Sequence, residues 1–259
     1  MSCPICDSRM RDAFSARILK RHEVSYRQCP ECRLLQTEEP YWLDEAYSEA
    51  IVAADTGLVM RNYFLATKLA VLLYRRFEPN GGYLDIAGGY GMLARLMRDY
   101  GFDYYWDDKF CPNLLARGFE VDKSIQPFVA LTAFEVIEHI HDPLAFIQEN
   151  MGLHGSRTLI FTTELCDCGE PPPKEWWYYA FSTGQHISFY QRKTLEALAE
   201  RLGLNFYSLN GLHILTDRVL RTGLILRLIM GRLAPLMACV IRRRLGSRTL
   251  SDHFMLMDP

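Results

Sequence analysis

The segment from Tyr83 to Gly91 constrains this chain more than any other. It begins with Tyr-Leu-Asp-Ile-Ala, which has the length of a buried strand, and ends in Gly-Gly-Tyr-Gly. Apolar side chains then follow at 92, 93, 96 and 97, which is the spacing of a helix. A strand, a glycine turn and a helix bring backbone close to a nucleotide-like ligand, because glycine has no Cβ to block the approach. The segment therefore predicts an α/β protein with a ligand site at this turn.

Size and charge limit the class of protein. With 259 residues, 49% of them hydrophobic, the chain can bury the core of one medium domain with accessory segments. The net charge of −2 gives no global field that would favour nucleic acid. The chain opens without a signal-like segment, and the apolar stretch Leu220–Val240 is interrupted by Arg221, Arg227 and Arg232. We expect a cytoplasmic protein.

Four cysteines near the start form two CxxC pairs that 22 residues separate. Two such knuckles can surround one tetrahedral zinc ion with four thiolates. A module this small cannot fold on its apolar core alone. Four cysteine ligands would leave no open coordination position on the metal for catalysis. The pattern predicts a zinc ribbon with a structural metal; its ligands are Cys3, Cys6, Cys29 and Cys32.

The middle of the chain alternates strand-like and helix-like segments, which predicts a parallel sheet flanked by helices. One predicted strand ends at Asp107 and Asp108, 22 and 23 residues beyond Asp85. An acid at this distance is placed to accept hydrogen bonds from ribose hydroxyls. In such a sheet the carboxyl ends of the strands form the ligand crevice, which here also receives Glu135 to His139.

These patterns divide the chain into four parts. The prediction is an α/β fold with a Rossmann-like, doubly wound, mostly parallel seven-stranded sheet, a small zinc ribbon and a helical C-terminal appendage. The predicted boundaries are 1–40 for the ribbon, 41–80 for a helical connector that covers the cofactor site, 81–215 for the α/β domain and 216–259 for the basic appendage.

Two motifs together resemble class I S-adenosylmethionine-dependent methyltransferases. They are the glycine turn, from Leu84 to Gly91, and Phe134-Glu-Val-Ile-Glu-His-Ile-His-Asp-Pro143. The subgroup that looks closest carries an N-terminal cysteine ribbon and acts on small molecules and glycans, including sugars. The resemblance covers about residues 60 to 210. One departure is Ala87, which stands where the family usually has its first glycine.

The resemblance implies S-adenosylmethionine as the cofactor. The turn would pack on its methionine portion, Asp107 or Asp108 would bind its ribose, and the end of the next strand would lie near its adenine or methionine end. The cofactor-binding residues implied are Asp85, Ala87, Gly88, Gly89, Gly91, Asp107, Asp108, Thr132, Phe134 and Glu135. A dinucleotide oxidoreductase would need a G-x-G-x-x-G spacing, which the turn does not provide.

Residues 164–190 read as a long loop with an aromatic cluster. An aromatic cluster beside a histidine, inserted after a strand that ends at the crevice, is typical of an acceptor pocket with a lid. The predicted pocket residues are Trp176, Trp177, Tyr178 and Tyr179. The alternative is that these aromatics fill a minor core under the loop. Cys166 and Cys168 offer a weak second metal pair with His186 or Glu164.

Methyl transfer to a hydroxyl or a carbon acid requires a base, because neither is a good nucleophile while protonated. Histidine has a suitable pKa. His186 and His139 are the candidates, with Glu138 or Glu135 available to orient one of them, and His186 is preferred. His139 has an alternative structural role in the turn after its strand.

The segment from Arg218 to Arg248 contains eight arginines. A basic amphipathic segment favours a membrane surface or an anionic partner, so peripheral attachment at the inner membrane surface is one expectation. The other is a dimer or substrate contact with solvated arginines.

The sequence is compatible with three functions. The first is methyl transfer to a sugar, glycan or other small molecule, on oxygen or carbon. The second is an RNA methyltransferase that uses the ribbon to bind nucleic acid, which the balanced charge disfavours. The third is a binding protein that keeps the cofactor fold without catalysis.

Overall fold

A computed structural model of the chain describes residues 1–47, 55–122, 124, 126–166 and 169–257. The described residues form two sheets, one of six strands and one of four. The α/β prediction is confirmed.

The larger sheet is mixed. Four of its strands are parallel and the last two are antiparallel additions, in the spatial order β5-β4-β6-β7-β10-β9. These strands are β4 (Gly82–Ile86), β5 (Asp103–Asp107), β6 (Ala130–Ala133), β7 (Thr158–Phe161), β9 (Asn205–Leu209) and β10 (Leu212–Thr216). Since β4 and β6 are parallel neighbours, the turn after β4 and the segment after β6 lie at the same edge.

The prediction of seven strands was wrong by one within the described residues. At the β5 edge, a seventh strand is reduced to one parallel bridge between Trp106 and Glu120. The amide of Trp106 donates to the Phe119 carbonyl, and the amide of Val121 donates to the Trp106 carbonyl. The segment around this bridge contains Pro112, Gly118 and Pro127, which do not sustain a ladder.

Helices cover both faces of this sheet. The first face packs against α2 (Leu58–Arg76), α3 (Met92–Asp99), α6 (Leu224–Met230) and α7 (Ala234–Leu245). The second packs against α4 (Pro143–His154) and α5 (Arg192–Leu202), together with the cysteine knuckles. Asp142 caps α4 by accepting from the Ala145 amide, with Pro143 in the first turn, an arrangement that suits a helix start.

The N-terminal sheet is completed by a strand from far along the chain. Its spatial order is β1 (Arg11–Ile18), β2 (His22–Gln28), β3 (Leu35–Thr37) and β8 (Ser188–Phe189), all antiparallel. The short α1 (Leu43–Ala46) packs beside it. The ribbon predicted for residues 1–40 is thus one structural unit with the end of the 164–190 insertion.

The C-terminal appendage is docked by a buried ion pair. Asp252 of α8 (Thr249–Met257) accepts two hydrogen bonds of 2.8 Å from the Arg98 guanidinium. Both side chains are nearly inaccessible, and Arg95 lies 2.9 Å from the same carboxylate. Bidentate geometry of this kind fixes the helix position as well as adding energy.

The α6–α7 segment also presents a surface that the fold does not use. Leu224 and Ile225 are 72% and 73% exposed, and Leu228, Leu233 and Leu236 are exposed beside them. No single helix in the described part of the chain is long and apolar enough to span a bilayer. The pair α6 and α7 meets that requirement only jointly, and it is bent by 89°.

Candidate active site

The glycine turn after β4 has a left-handed backbone at three positions. The φ angles are +57° at Ala87, +55° at Gly89 and +87° at Gly91, where α3 begins. A Cβ on Gly91 would lie 2.9 Å from the Asn113 side chain, so only glycine fits there. At Gly89 no described atom lies within 4 Å of a Cβ, so this backbone faces open space. The turn is therefore a cradle with its open side at Gly89.

Asp85 and Thr132 support the turn from below. The Asp85 carboxylate accepts a 2.7 Å hydrogen bond from the Thr132 hydroxyl, which also lies 2.8 Å from the Tyr104 hydroxyl. Burial raises the pKa of Asp85 to about 7, and the charge of Asp108 adds to this. Thr132 is completely buried, and its hydroxyl is occupied by Asp85 and Tyr104. Its predicted contact with the cofactor stays a prediction.

The two acids after β5 differ in their surroundings. Asp108 accepts hydrogen bonds from three backbone amides, those of Gly89, Phe110 and Cys111, at 2.7–2.8 Å. Its carboxylate is thereby fixed against the open side of the turn. Asp107 ends β5, its carbonyl accepts from the Gly88 amide, and its carboxylate lies 3.7 Å from His154. Asp108 therefore lies beside the backbone amide of Gly89, and the predicted ribose contact of Asp107 or Asp108 stays a prediction.

Glu135 holds a strained position just after β6. Its φ is +56°, a region that costs an L-residue about 1–2 kcal/mol. Thr162 compensates by accepting from the Glu135 amide and donating to its carboxylate, at 2.8 and 2.7 Å. Arg61 lies 3.8 Å from the other carboxylate oxygen and forms a bidentate pair with Asp55. Strain of this kind concentrates at functional sites. Phe134 is half-buried and packs on the first face of the sheet.

The three predicted catalytic residues come together in space. Glu138 and His139 lie on a short 3₁₀ turn, Ile137–His139, and His186 lies just before β8. The two imidazole rings are 4.9 Å apart. One potential ligand atom of each residue lies within 4.8 Å of those of the other two. We refer to Glu138, His139 and His186 as the triad.

Hydrogen bonds fix the tautomer of both imidazoles. His139 Nδ1 lies 3.0 Å from the Gln185 carbonyl oxygen, and His186 Nδ1 lies 2.7 Å from the Tyr178 carbonyl oxygen. A carbonyl only accepts, so Nδ1 carries the proton in each ring and Nε2 carries the lone pair. Burial lowers the pKa of both histidines to about 4. Both rings are therefore neutral at physiological pH.

Glu138 is fully buried, and its two carboxylate oxygens differ in their hydrogen bonding. One carboxylate oxygen accepts a 2.8 Å hydrogen bond from the Tyr178 hydroxyl, and the other has no hydrogen-bond partner among the described residues. Burial raises the pKa of Glu138 to about 8, and the nearby charge of Glu135 contributes. A buried oxygen without a partner carries a free-energy cost that a ligand can relieve.

The aromatic cluster is mostly core. Tyr179 is buried among Phe14, Tyr26 and Phe189, so it packs in the core of the ribbon sheet, and its predicted substrate contact stays a prediction. Trp176 is half-buried against Tyr178, Tyr179 and Phe189, whereas Trp177 is 73% exposed. A long loop needs its own hydrophobic support, which these aromatics provide by packing on the ribbon.

Tyr178 has a part that sequence reasoning missed. Its hydroxyl donates to Glu138, and its backbone carbonyl accepts from His186. The hydroxyl also accepts from the Glu164 amide and lies 3.2 Å from the Thr163 hydroxyl. The residue is buried, so it positions the triad rather than lining the predicted acceptor pocket. Only its proximity to His186 in the sequence hinted at this role.

The four cysteines of the ribbon also converge. The Sγ atoms of Cys3 and Cys32 are 3.5 Å apart, those of Cys6 and Cys29 are 3.4 Å apart, and all four lie within 4.8 Å of one another. Four sulfurs around one zinc ion at about 2.3 Å would be separated by about 3.8 Å. The residues present therefore fit a tetrahedral metal.

The suggested second cysteine pair is described only in part. Cys168 lies outside the described residues. Cys166 is buried, with its sulfur 3.4 Å from the Tyr190 carbonyl oxygen.

Comparison with known proteins identifies the central part of the chain. Residues 60–209 match the sequence profile of a family described as "Methyltransferase domain". The matched range contains the glycine turn, Asp108 and the triad. A search among curated proteins gives no match.

Solved structures with a similar fold are distant in sequence. TnmH is 16% identical, with a TM-score of 0.45 over 68% of this chain and 60% of that one. Magnesium protoporphyrin IX methyltransferase from Synechocystis PCC 6803, solved with bound SAH, is 15% identical, with a TM-score of 0.43 over 67% of this chain and 90% of that one. Human N-acetylserotonin methyltransferase, in complex with SAM, is 13% identical, with a TM-score of 0.43 over 69% and 66%. This chain spans about 60% of the length of TnmH.

Proposed function

Because the chain belongs to the family of S-adenosylmethionine-dependent methyltransferase domains, we propose that it methylates a hydroxyl or carbon acid of a sugar, glycan or other small molecule. The observation that carries this proposal is the triad. It brings two imidazoles with free Nε2 lone pairs and a buried carboxylate to the sheet edge where the glycine turn lies. A site built only to hold the cofactor would not need these groups.

The residues around the turn bind and orient. S-adenosylmethionine supplies a methyl group that a positively charged sulfur has already activated, so alignment is a large part of catalysis. The open backbone at Gly89 would receive the methionine portion, and Asp107 or Asp108 the ribose hydroxyls. Glu135, fixed by Thr162, would contribute a negative charge beside the sulfur.

The triad activates the acceptor. A protonated hydroxyl or carbon acid must lose its proton as it attacks the methyl group. In the simplest route, His186 accepts that proton at Nε2, while its Nδ1 proton stays bonded to the Tyr178 carbonyl. Exposed Trp177 lies next to Tyr178 and offers an aromatic face to a sugar ring.

Replacement of His186 tests this role. In His186→Ala we expect near-normal cofactor affinity by calorimetry and a turnover lowered by roughly 10²–10⁴-fold. Formation of S-adenosylhomocysteine with a panel of nucleotide-linked sugars and phenols measures turnover. His253→Ala, a change at an exposed histidine on α8, is the matched control. Unchanged turnover in His186→Ala would exclude the role.

We also propose that the four cysteines hold a structural zinc ion. Support comes from the convergence of the four sulfurs and from the way in which the knuckles complete the second core. Thr194 of α5 donates to the Cys32 carbonyl, so the metal site is tied to the α/β domain. The zinc would fix the ribbon, and through β8 the segment that carries His186.

Finally, we propose that the α6–α7 surface attaches to an anionic membrane. Leu224, Ile225 and Leu228 are exposed side by side, and Arg227 and Arg232 are exposed among them. Apolar groups that insert and arginines that meet anionic headgroups are the two elements of interfacial binding.

Vesicle sedimentation tests this attachment. The wild type should bind vesicles that contain phosphatidylglycerol, and Leu224→Ser/Ile225→Ser should bind at least about tenfold less, since two large apolar side chains are lost. Val59→Ser, at an exposed position on α2, is the control. Equal binding by both variants, or a dimer that buries this surface, would contradict the proposal.

A further inference from the structure

The triad has the composition of a metal site as well as that of a base. Two imidazoles and one carboxylate provide three potential ligand atoms within 4.8 Å of one another. Such a set, with open positions remaining, is a recurring way to hold a divalent first-row cation. The sequence suggested a metal at His186 only together with Cys166 and Cys168, and it suggested none at Glu138 or His139.

Hydrogen bonds hold the side chains of the triad in the way in which metal ligands are usually held. Metal-bound histidines usually donate their second ring N–H to a carbonyl or carboxylate, which fixes the ring. Both histidines do so here, His139 to Gln185 and His186 to Tyr178, and both Nε2 lone pairs stay available. The Tyr178 hydroxyl fixes the carboxylate in the same way.

Glu138 provides an independent observation. It is completely buried, and its second carboxylate oxygen has no hydrogen-bond partner among the described residues. A buried carboxylate oxygen normally accepts hydrogen bonds or coordinates a metal. No described lysine or arginine forms an ion pair with Glu138. Arg61 lies 3.8 Å from the Glu135 carboxylate instead.

We propose that Glu138, His139 and His186 bind one divalent cation, and that the acceptor oxygen becomes a further ligand of that cation. Mixed imidazole and carboxylate donors favour Mn²⁺, Fe²⁺, Co²⁺ or Zn²⁺ over Mg²⁺ and Ca²⁺, which prefer oxygen alone. Three protein ligands leave positions for the acceptor. The acceptor class that fits is one with two neighbouring oxygens, such as a vicinal diol of a sugar.

The chemistry balances without any redox step. The cation lowers the pKa of the bound hydroxyl, whose proton is released to solvent water. The acceptor oxygen then forms the bond to the methyl carbon while the bond from sulfur to that carbon breaks, and its electron pair stays on sulfur. In this scheme His186 Nε2 is a ligand of the cation, so the acceptor proton goes to water and is not transferred to the imidazole. This refinement rests on the proposed methyl transfer, whereas the binding of the cation does not.

Mn²⁺ binding, followed by electron paramagnetic resonance, tests the site directly. The full-length protein is first loaded with one equivalent of zinc, which the four thiolates bind in preference to the triad, so that Mn²⁺, which prefers oxygen and nitrogen donors, reports on the triad. We expect one bound Mn²⁺ in the wild type and in His253→Ala. The dissociation constant should rise at least about 100-fold in His186→Ala and Glu138→Gln, since loss of even a second-shell partner costs 10–100-fold.

Two further measurements separate a ligand role from a structural one. Tyr178→Phe keeps the ring but removes the bond to Glu138, and Mn²⁺ binding should weaken by about tenfold. Cofactor affinity should be unchanged in all these variants, which excludes general unfolding. Equal Mn²⁺ affinity in the wild type, His186→Ala and Glu138→Gln would overturn the proposal.

The outcome for catalysis is distinguishable from the outcome for binding. Methyl transfer that continues at full rate in chelator-treated protein, with the triad free of Mn²⁺, would overturn the cation proposal and leave direct proton transfer to His186. Tight Mn²⁺ binding that depends on the triad, without methyl transfer to any acceptor, would support the cation site and contradict the proposed function.

Discussion

Replacement of Asp85 by asparagine should change how the stability of the protein depends on pH. Asp85 lies directly beneath the glycine turn, and a Cβ on Gly88 would come within 2.9 Å of its carboxylate. The carboxyl group is almost completely buried, and its bond from Thr132 only partly offsets the cost of burying a charge. Burial therefore raises the pKa of Asp85 from 3.8 to about 7.

The magnitude follows from that difference. Each pKa unit is worth about 1.36 kcal/mol, so ionised Asp85 costs the native state about 4 kcal/mol relative to the unfolded chain. Between pH 4 and pH 7 the native state binds more protons at this site than the unfolded state. The contribution of Asp85 to the free energy of unfolding therefore falls as the pH rises through this window.

Urea unfolding of the wild type, Asp85→Asn and Asp44→Asn at pH 4.5, 6 and 8 measures this effect. Asparagine has no proton to lose, so the stability of Asp85→Asn relative to the wild type should increase with pH by about 3–4 kcal/mol. Asp44 is exposed, and its replacement should leave the wild-type profile unchanged. Parallel profiles for the wild type and Asp85→Asn would refute the reasoning.

Three further predictions concern the turn, the ribbon and the appendage. Gly89→Ala places a Cβ in open space at a φ of +55° and should cost about 1 kcal/mol of stability. It should also weaken cofactor binding at least about tenfold by calorimetry. Normal binding would contradict the assignment of the cofactor to this turn. Cys29→Ser should lose zinc by elemental analysis and lower the melting temperature as chelation of the wild type does; retention of one zinc per chain would contradict a Cys₄ site. Asp252→Ala leaves Arg98 buried without its bidentate partner and should destabilise the protein by about 3–5 kcal/mol in urea, whereas a change below 1 kcal/mol would mean that α8 is not docked by this pair.

Local patterns in the sequence predicted the parts of the fold that depend on neighbouring residues. The strand from Gly82 to Ile86, the glycine turn and the following helix can be recognised because glycine spacing and apolar periodicity are local signals. The two CxxC pairs are equally local, since each knuckle brings its own sulfurs together. The topology rule for parallel sheets explains why Asp108 and the segment after β6 were expected at one edge.

The remaining features depend on contacts between distant segments. Strand β8 joins the ribbon sheet across about 150 residues of chain, and its two residues give no strand signal of their own. Arg98 and Asp252 are also widely separated in the chain, so nothing in the sequence indicated their buried ion pair. An aromatic run such as Trp176–Tyr179 looks the same in sequence whether it lines a pocket or fills a core.

The candidate site shows the same division. His139 and Glu138 came from one motif and His186 from a separate segment, and their meeting in space was a hypothesis about catalysis rather than a derived contact. The burial of Thr132 was not evident from the sequence, because its hydroxyl donates to Asp85 across two neighbouring strands that lie far apart in the chain. The contribution of Tyr178 follows from its backbone carbonyl, which no sequence pattern reveals.

Titration of the wild-type protein with S-adenosylmethionine by isothermal calorimetry tests the central claim most directly. We expect one cofactor per chain, with binding that weakens at least about tenfold in Gly89→Ala and remains near normal in His186→Ala, because the turn holds the cofactor and the triad serves the acceptor. Absence of binding to the wild type, or equal binding by the wild type and Gly89→Ala, would contradict it.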